Sequence, residues 1–307
     1  MPYSLVLHCF SPNGPLSQTD VQGQKGMALF IEELIQQQDA ALATRLHDAR
    51  RAKPFTTAIM VPAGAGKASR IKTVEGAKHV DQGLHEPTEV KIRVTLLDDG
   101  LYPLIADYFL RTIGKVPLLH LGRAPLLVSK ITATFESGEP WSGCARFEDI
   151  LDRASGAGTS WTLHFATPTA FRADEADLPL PIPRFCFQSW LSSWDEHSPR
   201  PFFPDKAAQK EFLTNVVERR VSVEHQIRMS DQTFYFDGHQ VRDRGFVGTC
   251  RFWVRPRGIS QHDRAILAAL AAYSFYAGTG RKTTMGMGMT RLLGLERDYP
   301  PLASAER

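Results

Sequence analysis

Segments with strand periodicity and segments with helical periodicity follow one another in a regular order over residues 3–135. Residues 3–10, YSLVLHCF, form a strand-like run, and the apolar residues from Met27 to Ile35 recur at helical spacing. Four further segments read as strand, strand, helix and strand, and they lie at 53–62, 90–99, 101–112 and 125–135. This β-α-β-β-α-β order predicts a ferredoxin-like (RRM-like) domain, an α+β fold with an antiparallel sheet and helices on one face.

The second half of the chain repeats this order with additional segments. Strands are predicted at 161–172, 220–236 and 245–254 and again from residue 290, and helices at 181–194, 208–219 and 260–277. The length of 307 residues also suits two domains better than one. We therefore predict tandem ferredoxin-like domains, an N-terminal one at 1–138 and a C-terminal one at 139–307.

The composition limits the class of protein. A net charge of +3 is modest, so a nucleic-acid partner would require the cations to be gathered on one face. The chain contains no run of about 18 apolar residues and its first residues do not resemble a signal peptide, so we expect a soluble cytoplasmic protein that does not bind membranes. The four cysteines have no C-x-x-C spacing, which favours free thiols in a reducing cytosol; they are Cys9, Cys144, Cys186 and Cys250.

A glycine-rich segment near the C-terminus, GTGRKTTMGMG at 278–288, allows three interpretations. A dinucleotide-binding fingerprint is disfavoured, because that motif follows a strand and this segment follows a helix-like one. A helix C-cap with a glycine-rich turn is the structural interpretation. The third is an anion-binding loop, in which backbone N–H groups, with Arg281 and Lys282, hold a phosphodiester. The segment alone does not separate the last two.

His47 and Lys53 are the main candidates for chemistry. His47 lies among cations, close to Arg45 and Arg51, so it is poorly suited to a protein core. It is either a general acid–base group or an ordinary residue at a solvated helix end. The histidines and cysteines lack zinc-ligand spacing, and neither a G-x-S-x-G elbow nor a P-loop occurs. We therefore expect a site without metal or cofactor.

Taken together, the sequence resembles the CRISPR-associated endoribonucleases that process precursor CRISPR RNA, which belong to a superfamily of repeat-associated RNA-binding proteins built from ferredoxin-like domains. The strongest part of the resemblance is AGTGRKTTMGMGMTRLL, which is similar to the glycine-rich signature loop of that family. Further support comes from LHFATPTAFR, from GFVG and from the H-x5-K arrangement of His47 and Lys53 ahead of PFT. The resemblance extends over nearly the whole chain.

The resemblance implies a metal-independent cleavage within the repeats, in which a ribose 2′-hydroxyl attacks the adjacent phosphate and leaves a 2′,3′-cyclic phosphate and a 5′-hydroxyl. It places His47 at proton transfer and Lys53 near the phosphorane charge. The implied partners are CRISPR repeat RNA and other CRISPR effector subunits. The RNA-binding residues that we predict are Arg45, Arg51, Gly278, Gly280, Arg281, Lys282, Thr283, Gly286 and Gly288.

Two points stay open from the sequence. Relatives with the same fold and glycine loop only hold RNA, so the alternative function is a non-catalytic RNA-binding subunit of a CRISPR effector complex. The family often adds a tyrosine from the first helix, and GMALFIEELIQQQ contains none. The second acid–base group could instead be Tyr3, Arg45 or Arg51, or positioning alone could replace it.

Overall fold

The N-terminal half forms a six-stranded antiparallel sheet. The computed structural model describes residues 1–17, 19–49, 53–61, 88–112, 115–155, 158–236 and 239–294. The strands of this sheet are β1 (Tyr3–Phe10), β2 (Phe55–Met60), β3 (Glu89–Leu96), β4 (Leu118–Leu121), β5 (Ala124–Thr132) and β6 (Gly143–Cys144). The order is β2-β3-β1-β5-β4, and β6 pairs with the start of β1.

The helices of this half cover one face of the sheet. Alternate residues of the central strands, such as Leu7 and Ile92, are buried in one cluster with Phe30 and Leu34 of the first helix. Burial of every second strand residue against helices is what the period-2 pattern of these strands requires. The helices are α1 (Gly23–Ala28), which continues as a π-helix (Leu29–Ile35), α2 (Ala40–Asp48) and α3 (Tyr102–Leu110), with short 3₁₀ turns at Asp99–Leu101 and Phe135–Ser137.

The C-terminal half contains a four-stranded antiparallel sheet and a separate two-stranded hairpin. The strands are β7 (Ser160–Thr169), β8 (Phe171–Ala173), β9 (Ala176–Leu178), β10 (Val221–Phe236), β11 (His239–Val254) and β12 (Thr290–Leu293). The sheet order is β10-β11-β7-β12, and β8 pairs with β9. The helices are α4 (Phe147–Ser155), α5 (Pro183–His197), α6 (Lys206–Phe212), which continues as a π-helix (Leu213–Glu218), and α7 (Gln261–Ala277), with a 3₁₀ turn at Thr283–Met285.

Both halves have the ferredoxin-like strand order, so the predicted tandem α+β fold is confirmed. The structure adds elements that the sequence pattern did not predict, among them α2, β4, β6, α4 and β9. The division at 138/139 stays a prediction. Past that point, β6 still pairs with β1 of the first sheet, whereas Phe147 of α4 packs in the core of the second half.

A buried arginine joins the two halves. Arg93 of β3 is 1% exposed, and its Nε donates a 2.9 Å hydrogen bond to Ser4 Oγ. The same guanidinium donates to the carbonyl of Phe275, near the end of α7. Beside it, Thr95 Oγ1 donates a 2.8 Å bond to the Tyr276 carbonyl. Burial lowers the pKa of Arg93 to about 9, so the group stays charged at neutral pH and depends on these acceptors.

Candidate functional site

His47 lies in the last turn of α2. The helix begins at an N-cap, where the Asp39 carboxylate accepts a 2.8 Å hydrogen bond from the Leu42 amide. Leu46 faces the core, whereas the His47 side chain is 68% exposed. His47 Nδ1 lies 3.1 Å from Asp48 Oδ1. A proton on Nδ1 would satisfy this contact and leave the Nε2 lone pair available to a substrate.

Lys53 contacts the same helix end. Its ammonium donates a 2.6 Å hydrogen bond to the His47 carbonyl and another to the Leu46 carbonyl. Carbonyls in the last turn of a helix have no partner within the helix, so Lys53 caps α2 from the chain entering β2. Burial lowers the pKa of Lys53. An ammonium has three N–H donors, and among the described residues these two carbonyls use two of them.

Of the other residues predicted for this region, the structure describes Arg45 and Tyr3. Arg45 is exposed on α2. Arg51 lies outside the described residues. Tyr3 stacks on Tyr102 with 4.2 Å between ring centroids, and burial raises the pKa of its hydroxyl. A groove lined by α1, its π-helical continuation and α2 borders His47.

The glycine loop, residues 278–288, is packed against the protein's own backbone. At Gly280, which has a φ of +81°, an added Cβ would lie 2.3 Å from the Ala170 carbonyl oxygen. At Gly288, with a φ of +70°, it would lie 2.0 Å from the Thr279 carbonyl oxygen. The Gly280 amide also donates a 2.9 Å hydrogen bond to Ser189 Oγ. Glycine is required at these two positions by both the dihedral angle and the space.

The loop also contacts the N-terminal half. The Thr57 hydroxyl of β2 donates a 2.7 Å hydrogen bond to the Thr284 carbonyl. Gly23, the first residue of α1, is so close to the loop that an added Cβ would lie 1.7 Å from the Met285 carbonyl oxygen. Gly286 also lies against Gly23. The loop therefore fills the junction between the two halves, at the start of the helix that borders the His47 groove.

Both cations of the loop face carboxylates. Lys282 Nζ lies 2.5 Å from Asp243 Oδ2 and 4.4 Å from the centroid of the Phe234 ring. Arg281 pairs with Asp177 and lies 3.5 Å from the same Asp243 oxygen. Asp243 is only 8% exposed. Arg172 also pairs with Asp177, at 3.1 Å, so three cations and two carboxylates form one network in which much of the positive charge is offset.

Sequence reasoning missed these partners and Asp48. Asp48 directly follows His47, so a carboxylate beside a candidate base was a readable signal. Asp177 and Asp243 carried no such signal, because they are distant from the loop in sequence. In the part of the chain that the structure describes, no three His, Cys, Asp or Glu side chains form a group suited to a metal ion. Among the same residues, none of the helices is long and apolar enough to span a membrane.

Family models match both halves of the chain. Residues 1–152 match the CRISPR Cas6 N-terminal domain, and residues 163–290 match the CRISPR-associated endoribonuclease Cas6. The chain belongs to the Cas6 family of CRISPR-associated endoribonucleases. The resemblance predicted from the glycine loop is thereby confirmed. No curated protein matches the chain by sequence.

Solved Cas6 structures have the same fold. The product complex of Cas6 (TTHB231) is 26% identical with a TM-score of 0.70, and the match covers 95% of this chain and 100% of that one. Thermus thermophilus Cas6 (TTHB231) is 26% identical with a TM-score of 0.64, and the match covers 95% and 98%. The product complex of Cas6 (TTHA0078) is 23% identical with a TM-score of 0.66 and coverage of 95% and 99%, a likeness of fold.

Proposed function

We propose that this Cas6 protein cleaves precursor CRISPR RNA within its repeats by metal-independent transesterification. The observation that carries the proposal is the exposed His47 imidazole, whose Nδ1 faces the Asp48 carboxylate and whose Nε2 is left for a substrate. The family of the chain and its similarity to a Cas6 product complex support the same activity. The substrate would be CRISPR repeat RNA.

In the proposed reaction, the ribose 2′-hydroxyl attacks the adjacent phosphorus while its proton moves to His47 Nε2. The P–O5′ bond breaks and the 5′ oxygen takes a proton from water, while His47 later returns its own proton to the solvent, so the products carry a 2′,3′-cyclic phosphate and a 5′-hydroxyl. The nucleophile belongs to the RNA itself, so the mechanism needs no activated water. The remaining N–H of Lys53 would stabilise the phosphorane charge, with help from Arg45.

The RNA would pass from this site towards the glycine loop. The contacts of Gly23 with Met285 and of Thr57 with Thr284 support this path, because they place the loop at the start of α1. We propose that the loop and its cations, Arg281 and Lys282, border the RNA, as the family resemblance implies. Since both cations are paired with carboxylates, a phosphate would have to compete with Asp243 and Asp177 for them.

The test uses repeat RNA labelled at its 5′ end, incubated with the protein in excess EDTA. We expect cleavage at one position, and we expect a single 2′-deoxy substitution at that position to abolish it, because the nucleophile is removed. The 5′ fragment should end in a cyclic phosphate, which phosphatase removes only after acid opens the ring. Cleavage of the deoxy RNA, or dependence on magnesium, would overturn the mechanism. Binding without cleavage would favour the role of an RNA-binding subunit.

A further inference from the structure

The groove beside His47 has a volume of about 400 Å³ and lies between the helix that starts at Gly23 and helix α2. Its floor is apolar and includes Met27, Ile31 and Ala43. This volume is within the range of roughly 300–1,000 Å³ that is typical of sites for small organic groups. The thioether of Met27 is suited to contact an aromatic ring, because sulfur is polarisable and its side chain adapts.

The rim of the groove carries hydrogen-bonding side chains. Glu32 and Gln36 line it from the first helix, both are exposed, and their side chains make no hydrogen bond or ion pair with other described residues. The carboxylate offers acceptors only, whereas the amide offers both donors and acceptors. An apolar floor with such a rim fits a flat heterocycle that has a polar edge. Unpaired nucleobases have this chemistry, and proteins recognise them in this way.

The lining residues indicate where such a base would lie. His47 and Asp48 line the groove from α2. Gln24 lines it from α1, directly after Gly23, whose backbone touches the glycine loop at Met285. A base in the groove would therefore have its own phosphate close to the imidazole.

We propose that this groove binds the base of the nucleotide next to the scissile phosphate, and that Glu32 selects a base with an exocyclic amino group. Adenine, cytosine and guanine can donate an amino N–H to the carboxylate, as in known carboxylate–cytosine contacts. Uracil has no amino group, and its N3–H lies between two carbonyl oxygens, at least one of which would lie beside the Glu32 carboxylate and repel it. The proposal rests on the proposed function, because it assigns a substrate determinant to the same site.

The first experiment measures binding, which does not depend on cleavage. Repeat RNA made uncleavable by a 2′-deoxy substitution would be compared with RNAs that also lack the base on either side of the scissile phosphate. We expect one abasic RNA to bind about tenfold more weakly, a loss of about 1.4 kcal/mol. Ala28→Leu, which fills the groove from its wall, should remove this difference. Ala41→Leu is the matched control, since Ala41 is exposed on α2 and does not line the groove.

The second experiment tests selection with Glu32→Gln, which changes an exposed side chain and should leave the fold intact. The wild-type protein should bind RNA with an amino-bearing base at the sensitive position about tenfold more tightly than RNA with uracil there, and the variant should lose most of that preference.

Equal affinity for intact and abasic RNAs would overturn the groove proposal, even where the wild-type protein cleaves repeat RNA. Base-dependent binding that Ala28→Leu removes would support it, even where cleavage fails and the proposed function falls. A preference that Glu32→Gln leaves unchanged would overturn the assignment of selection to Glu32.

Discussion

The Lys53 ammonium donates a 2.6 Å hydrogen bond to the backbone carbonyl of His47. The cation predicted to stabilise a phosphorane therefore also holds the helix turn from which the proposed base projects. A substitution of Lys53 should act in two ways, through the position of His47 and through the loss of a charge near the phosphate.

We expect Lys53→Met to lower the free energy of unfolding by about 1.5–3 kcal/mol, because it removes charge-assisted bonds to helix carbonyls. Cleavage by Lys53→Met should slow by more than the destabilisation of α2 explains, because this variant also lacks the positive charge near the phosphate. Asp39→Ala is the control, since it removes the N-cap of the same helix and leaves Lys53 in place. Urea unfolding and single-turnover cleavage of both variants check this. Equal slowing in the two variants would mean that Lys53 acts only by positioning α2.

We expect His47→Ala to slow single-turnover cleavage by about 10²–10⁴-fold, the usual contribution of a positioned acid–base group. RNA affinity should persist, because it comes from many phosphate contacts and an imidazole supplies at most one. His262→Ala is the matched control, since His262 is exposed near the start of α7. Cleavage by His47→Ala at the wild-type rate would contradict the assignment of the active site to α2.

We expect Asp177→Asn to tighten RNA binding, because Asp177 pairs with Arg281 and partly cancels its charge. The slope of log K against log salt should become steeper, by up to about 0.7–0.9 if one further phosphate is contacted. Asp107→Asn is the control, since Asp107 likewise pairs with an arginine, Arg111, but on helix α3. Identical salt slopes for Asp177→Asn and the wild-type protein would argue that the glycine loop does not border the RNA.

We expect Gly23→Ala to lower the free energy of unfolding by about 1–3 kcal/mol, the typical cost of overpacking. The added methyl group would be 1.7 Å from the Met285 carbonyl oxygen, so α1 and the loop must move apart. At Gly158 a Cβ would meet nothing within 4 Å, which makes Gly158→Ala the control. Similar unfolding midpoints for the two variants would show that α1 and the glycine loop accommodate the added methyl group without loss of stability.

We expect stability to fall on acidification, in part through His197. Burial lowers the pKa of His197 below its ordinary value of 6.5. The negative charges of Glu196 and Asp98 raise it, but by less than burial lowers it. Between the two pKa values the unfolded chain binds more protons than the folded one, so stability is lost as the pH falls below 6.5 and is unaffected above it. One histidine can contribute a slope of at most about 1.4 kcal/mol per pH unit.

His197→Gln should flatten this dependence, which urea unfolding between about pH 5 and pH 8 would measure. If the free energy of unfolding of this variant depends on pH as steeply as that of the wild-type protein, other groups cause the acid sensitivity. His8 and His164 are the next candidates, because burial lowers the pKa of both.

The order of strands and helices was readable from the sequence because each strand buries alternate residues, as Leu7 and Ile92 do. Helix α2 was not, because it spans only nine residues and has only two large apolar ones, Leu42 and Leu46. Asp39, which caps its N-terminus, was the local signal that could have revealed it. Its presence places His47 in the last turn of a separate helix, between the first helix and β2.

The candidate site was partly readable. Local spacing singled out His47 and Lys53, but the carbonyls that Lys53 binds depend on how the chain turns between α2 and β2. The glycines correctly indicated close backbone approach, and the sequence could not tell that their neighbours in the structure include the protein's own carbonyls. Nor could it pair Lys282 with Asp243, which lies on β11. Such partners are set by tertiary packing.

Arg93 has a consequence for how the chain can be divided. A guanidinium with 1% exposure depends on acceptors from both halves, Ser4 in one and Phe275 in the other. Separating the halves would leave each with a surface shaped for its missing partner and a cation without its acceptors. The protein should therefore melt in one cooperative transition, and a fragment ending near the predicted boundary should depend on the other fragment to fold. Two fragments mixed together should reassemble around this arginine, as expected of a single folding unit with two similar parts.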